Sequence, residues 1–175
     1  MLRAACDVQV DVMHAARSTR HVARGIMKRI YSIEDACIGC HLCEVACITE
    51  HSLSKDPIKA FLHEPERPIP RCTVEELNGG VVSLSTTCRH CDEPDCLRAC
   101  ISGAIQKNAE GIVHIDREQC VGCWSCVMAC PYGAIQRNLE RKKANKCDLC
   151  PDRQSPACVD ACPNRSLVYR EGSQK

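Results

Sequence analysis

Apolar and polar positions alternate along this chain in short runs. Lys28–Ile33, Val81–Thr86, Gly111–Asp116 and Leu167–Arg170 carry the two-residue period of strands that bury one face. Four groups of cysteines stand between these runs, and each cysteine loop leads into a short helical turn. Pro131 and Pro163 follow the last cysteine of their groups and disfavour a helical conformation there. Ser54–Arg71 holds Pro57, Pro65, Pro68 and Pro70 and reads as an irregular surface excursion. Asn138–Lys146 is polar and basic and reads as a connector. No apolar run approaches the ~20 residues of a membrane span. Residues 1–27 read as a disordered tail or a mis-assigned upstream start, because Met27 opens a natural beginning to the first strand; 171–175 read as a short tail.

The cysteine groups repeat. They are Cys37, Cys40, Cys43 and Cys47; Cys88, Cys91, Cys96 and Cys100; Cys120, Cys123, Cys126 and Cys130; and Cys147, Cys150, Cys158 and Cys162. Every group opens with C-x-x-C and closes with C-x-x-A-C, the alanines being Ala46, Ala99, Ala129 and Ala161. A small residue at the same place in all four suggests a helical turn that approaches something bulky closely. Groups two and three match further, Cys96–Gln106 aligning with Cys126–Gln136 at a constant offset, so one supersecondary unit is used twice in succession.

Composition sharpens this picture. The chain has 175 residues, of which 18 are Cys, with one Phe, one Trp and three Tyr. Without cysteine only about a third of it is apolar. A large aromatic core is excluded, and cysteine chemistry is left to hold the fold together. The formal charge of +1 offers no electrostatic case for nucleic-acid binding.

Spacing then narrows the chemistry. Group three, C-x2-C-x2-C-x3-C-P, is the bacterial ferredoxin run. Three thiolates separated by two residues wrap one corner of a cubane, and the fourth points away to a different cluster, so two such runs interlock. Group one has the same spacing with Ile48 in place of proline, and Ile101 follows group two. Groups two and four widen the middle gap. Zinc also uses all-cysteine sites, but usually as two knuckles across a longer loop. Disulfides fit poorly with such dense local spacing and no secretion signal. Four oxidised [4Fe–4S] clusters would add about −8 to the formal charge, leaving the loaded chain near −7.

On these motifs, with Lys146-Cys-Asp-Leu-Cys150 opening group four and Ala36–Cys47 forming group one, residues 28–170 resemble the four-cluster ferredoxin-like electron-transfer subunits. Such subunits serve molybdopterin oxidoreductases, hydrogenases, formate hydrogenlyases and carbon monoxide dehydrogenases. Among the branches, the short length and the start at Met27 look most like the iron–sulfur subunit of anaerobic carbon monoxide dehydrogenase. The resemblance implies an α+β fold of two interleaved two-cluster ferredoxin-like units with short strands and short helices, stabilised by clusters. It pairs group one with group four and group two with group three. Carried over by residue, one cluster takes Cys37, Cys40, Cys43 and Cys162, and its neighbour Cys47, Cys147, Cys150 and Cys158. A third takes Cys88, Cys91, Cys96 and Cys130, and the fourth Cys100, Cys120, Cys123 and Cys126. No ligand position is replaced, so four [4Fe–4S] clusters are expected.

The implied function is a one-electron carrier rather than an enzyme, in the cytoplasm or peripheral to the membrane through a partner. Its expected donor is carbon monoxide dehydrogenase, and its acceptor a hydrogenase or an NAD(P)-reducing flavoprotein. The alternative is the electron-transfer subunit of a hydrogenase, formate hydrogenlyase or molybdopterin oxidoreductase. A zinc-bearing adaptor is the competing class. Cys6 and Cys72 fall outside the tetrads, and Cys72 reads as a free buried thiol. Gly39 and Gly122 permit a tight loop at the cluster or are plain loop glycines. Trp124 reads as packing over a cluster or as a partner contact. His41 and His90 read as exposed histidines, with tuning of a potential as the functional alternative. Arg137, Arg141, Lys142, Lys143 and Lys146 read as a solvated basic face that also offsets cluster charge or steers an acidic partner.

Overall fold

The computed structural model describes residues 27–66 and 68–172. Cys6 and residues 1–26 of the expected extension, with residues 173–175 of the expected tail, lie outside them.

The elements are short and come as hairpins and single turns. In order they are β1 (Lys28–Ser32), a 3-10 turn at Glu34–Ala36, α1 (Leu42–His51), α2 (Pro57–Leu62), β2 (Thr73–Leu77), β3 (Val82–Thr86) and α3 (Asp95–Arg98). There follow β4 (Ile105–Lys107), β5 (Val113–Ile115), α4 (Ser125–Ala129), β6 (Ile135–Asn138), β7 (Lys143–Lys146), α5 (Ala157–Asp160) and β8 (Leu167–Glu171). The strands make two-stranded antiparallel ribbons: β2 with β3, β4 with β5, β6 with β7, and β1 with β8. In the last of these Ser32 faces Leu167 and Lys28 faces Glu171.

All four expected strands form, though Gly111–Asp116 shortens to Val113–Ile115 because Gly111 closes the β4–β5 turn, donating its N–H to the Asn108 carbonyl. Two expectations need correction. The Pro-rich excursion contains helix α2, which Asp56 caps by accepting the N–H groups of Ile58 and Lys59 at 3.0 and 2.9 Å, with Pro57 in its first turn. The basic connector ends in β7, where Ala144, Asn145 and Lys146 are buried. Asn145 goes inside because its amide reaches the carbonyls of Ile69 and Pro70.

Ribbons this small bury little by themselves. The interior comprises two clusters of apolar side chains. One gathers Ile30, Val74, Leu149 and Leu167 around Cys43, Cys47, Cys72, Cys88, Cys147 and Cys158. The other gathers Ala104, Ile105, Val113, Ile135 and Ala144 around Cys96, Cys120 and Cys126. Of 22 buried apolar residues described, 10 are cysteines. The core is therefore mostly sulfur and small aliphatic groups. Helix α1 packs against α5 and α3 against α4, which brings group one beside group four and group two beside group three.

Candidate iron–sulfur centres

Each cysteine loop is shaped by a left-handed residue just before its second cysteine. These are Gly39 (φ 63°), His90 (φ 44°), Gly122 (φ 69°) and Leu149 (φ 64°). The turn folds the backbone back on the first cysteine: the His90 N–H lies 3.4 Å from Cys88 Sγ, and the Leu149 N–H 3.4 Å from Cys147 Sγ. A side chain costs roughly 1–2 kcal/mol in this region, so its use by His and Leu marks a constrained site. Gly122 has a second reason to be glycine, since a Cβ there would stand 2.1 Å from the Lys142 carbonyl oxygen.

The third cysteine of every group lies in the first turn of a helix: Cys43 in α1, Cys96 in α3, Cys126 in α4 and Cys158 in α5. All four are buried. Helices α1 and α4 are entered through left-handed residues, His41 and Trp124, whereas α3 and α5 are entered through extended prolines, Pro94 and Pro156. Each helix pair thus combines one entry of each kind.

The thiols sort into neighbourhoods. Burial pushes Cys96 up to about 11; Lys146 opposes this, and Cys88, Cys130 and Cys91 add to it. Burial likewise raises Cys126, with Cys120, Cys100 and Cys123 adding to the effect. Each neighbourhood mixes cysteines from groups two and three. Cys147 is raised by burial, against the Leu149 N–H, and further by Cys88 and Cys158. The β1–β8 ribbon leads from Ser32 toward Cys37 and back from Cys162 to Leu167, so these two cysteines flank the same ribbon end. Cys162 Sγ accepts the Ser166 N–H at 3.2 Å, and Cys47 Sγ accepts the Arg71 N–H at 3.2 Å.

Cys72 is a buried thiol, as its sequence position suggested, but it is also a neighbour of Cys158, Cys43 and Cys47, whose hydrogen bonding strongly raises its pKa. The same contacts lower Cys47 to about 5 and Cys43 to about 6. His41 is exposed and bonds Glu44 at 2.9 Å. The expectation for His90 is corrected. It is fully buried, its Nδ1 accepts the Val113 N–H at 3.1 Å, and its Nε2 has no partner among the described residues. Lys146 is also buried rather than part of a solvated face, while Arg137, Arg141 and Lys142 are exposed.

One non-cysteine cluster sits at group four. Burial would lower the His51 pKa, but Asp148, Cys150 and Cys47 raise it to about 11. His51 Nε2 lies 3.1 Å from Asp148, which Arg71 also grips. Donor atoms of His51, Asp148 and Cys150 come within 4.8 Å of one another. Asp148 already has two cations, so its part is that of a counter-ion.

The residues fit an iron–sulfur cofactor. The donors are thiols brought together from different loops, and backbone N–H groups aim at four of the sulfurs, as cluster sulfur requires. With Nδ1 of His90 accepting, its buried Nε2 carries an N–H that has no hydrogen-bond partner among the described residues. No helix among the described residues is long and apolar enough to cross a membrane.

Comparison with known proteins agrees with this donor chemistry. Residues 80–171 match the family model described as a 4Fe-4S dicluster domain. The sequence is 40% identical over 156 residues to the electron transport protein HydN of Escherichia coli K12, spanning 79% of this protein and 86% of that one. It is 36% identical over 148 residues to a subunit of the anaerobic dimethyl sulfoxide reductase of Haemophilus influenzae, spanning 79% and 71%. It is 37% identical over 149 residues to the iron-sulfur subunit of the nitrate-inducible formate dehydrogenase of E. coli K12, spanning 76% of this protein and 50% of that one. This protein belongs to the 4Fe-4S dicluster family and is an iron–sulfur electron-transfer protein related to the subunits of larger oxidoreductases.

Proposed function

We propose that this chain passes single electrons along four [4Fe–4S] clusters held by its sixteen tetrad cysteines. The observation that carries the reading is the mixing of groups, with Cys130 of group three beside Cys88, Cys91 and Cys96 of group two. The second set is Cys100, Cys120, Cys123 and Cys126. The resemblance to the four-cluster subunits assigns Cys162 to Cys37, Cys40 and Cys43, and Cys47 to Cys147, Cys150 and Cys158; the packing of α1 on α5 is in keeping with this. The packing of α1 on α5 and of α3 on α4 supports two interleaved two-cluster units over residues 28–170.

Bound clusters supply one-electron storage at tunable potential. The chain fixes their spacing, excludes water and directs N–H groups at sulfur. The nearness of Cys88 to Cys147 supports a path from one unit to the other. Cys40 and Cys123 are exposed, with exposed Ile38 and Leu42 beside one and Val121 and Met128 near the other. We assign these as the two ports where an electron enters and leaves.

The relatives named for formate dehydrogenase and dimethyl sulfoxide reductase favour a subunit of a larger oxidoreductase complex over a carrier serving carbon monoxide dehydrogenase. The donor or acceptor is then a catalytic redox subunit, with the chain in the cytoplasm or held peripherally by that complex. The test is anaerobic mixing of the oxidised protein with formate dehydrogenase plus formate, hydrogenase plus hydrogen, or carbon monoxide dehydrogenase plus carbon monoxide, all from the source organism. Rapid bleaching of visible absorbance with formate or hydrogen is expected. Bleaching with carbon monoxide alone would overturn the choice of partner, and a colourless protein would overturn the electron-carrier reading.

A further inference from the structure

Lys146 ends β7 with its side chain turned inward. It is 4% exposed. Its Nζ donates to the carbonyl of Val113 on β5 and to that of Cys147, the latter at 2.9 Å. Among the described residues no carboxylate pairs with it: Asp148, two positions on, is occupied by Arg71 and His51. Two neutral carbonyls do not balance a buried charge, and a buried cation without an anion costs several kcal/mol. The neighbouring sulfurs would carry negative charge only as thiolate ligands of a cluster. Lys146 acts electrostatically on Cys96 and on Cys147, and also on the fully buried His90. Cys96 belongs to the proposed set with Cys88, Cys91 and Cys130, and Cys147 to the set with Cys47, Cys150 and Cys158. Cys88 and Cys147 are themselves neighbours. The ammonium therefore stands at the junction between the two units.

We propose that Lys146 is the internal counter-charge of the electron path, a positioning residue that makes the two junction sites better electron acceptors than they would be without it. This rests on the four-cluster reading above. An arriving electron adds one negative charge and no atom. A fixed cation inside a water-poor interior stabilises that charge, and it does so at both sites it adjoins. The two port sites lie beyond it and gain less. The charge thus favours an electron at the junction over what it would be there without Lys146, and so favours its passage from a port site to the junction.

The test uses the full chain, purified anaerobically with its clusters and titrated with dithionite and redox mediators under electron paramagnetic resonance. Lys146→Gln keeps two N–H donors without the charge, Lys146→Met keeps the apolar stem, and Lys146→Arg keeps the charge. The neutral variants are expected to hold their iron while two of the one-electron steps become at least tenfold less favourable, about 59 mV lower for a one-electron couple. Lys146→Arg is expected within threefold of wild type. Loss of iron in both neutral variants with retention in Lys146→Arg also supports the proposal, because the cation is then needed to hold the junction charges. Fully loaded neutral variants with every step within threefold of wild type would overturn it, as would loss of iron in all three variants, which signals packing alone. Fewer than about 16 irons in the wild type would instead overturn the four-cluster reading.

Discussion

Gly122→Ala probes the contact between a cysteine loop and the β6–β7 turn. Gly122 lies between Cys120 and Cys123 with φ 69°, and a Cβ there would meet the Lys142 carbonyl oxygen at 2.1 Å and its carbon at 3.0 Å. Both neighbours are backbone, so relief requires the turn to move. That turn is tied to the loop, because Lys143 Nζ donates to the Cys120 carbonyl at 2.5 Å. The left-handed conformation alone costs a non-glycine residue roughly 1–2 kcal/mol, and forced overpacking adds about 1–3 kcal/mol. Gly133 isolates the first contribution, since it has φ 60° with nothing within 4 Å of its Cβ position. At about 2–4 °C per kcal/mol for a chain of this size, Gly133→Ala lowers the apparent Tm by about 2–8 °C and Gly122→Ala by about 4–20 °C. Gly39→Ala falls between them, because its obstacle is the Ser83 hydroxyl at 2.8 Å, which can rotate away. The assay is loss of visible absorbance on heating under anaerobic conditions at one fixed scan rate, as cluster proteins unfold irreversibly. If Gly122→Ala were no less stable than Gly133→Ala, the proposed coupling of the loop to the turn would be refuted.

Cys72→Ala is expected to keep the full iron content and to lose only about 1–2 kcal/mol from a small cavity; loss of about four irons would make Cys72 a ligand. His51→Gln tests the ion pair with Asp148. Because the folded pKa of His51 is raised from 6.5 to about 11, its contribution to stability is full below about pH 6.5 and fades as pH rises toward 11. The Tm gap between wild type and His51→Gln should therefore narrow from pH 6 to pH 10, and a widening gap would contradict the assignment. Asp56→Ala should destabilise α2 by about 1 kcal/mol without changing iron content, read by anaerobic denaturation.

The cysteine spacing was legible because iron–sulfur ligation is local: each loop carries its own three or four thiols, and the strands beside it alternate clearly. What escaped was polar sequence turned inward by distant partners. Lys143–Lys146 looks solvated, yet it is β7, because Lys146 finds the Val113 carbonyl and Asn145 those of Ile69 and Pro70. His90 looks exposed between two cysteines, yet Val113 supplies its N–H from another ribbon. The partners of Val81–Thr86 and Gly111–Asp116 were missed because strands of three to five residues carry too few periods to read. Asn78-Gly79-Gly80, with φ positive at all three, was the available hairpin signal for β2. Asp56-Pro57 was the available helix-start signal for α2. The grouping of cysteines across loops came from family resemblance, since spacing within one loop says nothing about which other loop completes a site.

The most direct measurement is iron, acid-labile sulfide and electron uptake per chain on the anaerobically purified protein. The four-cluster account requires about 16 irons, about 16 sulfides and about four electrons from dithionite. Bound zinc with no electron uptake, or about eight irons and two electrons, would contradict it.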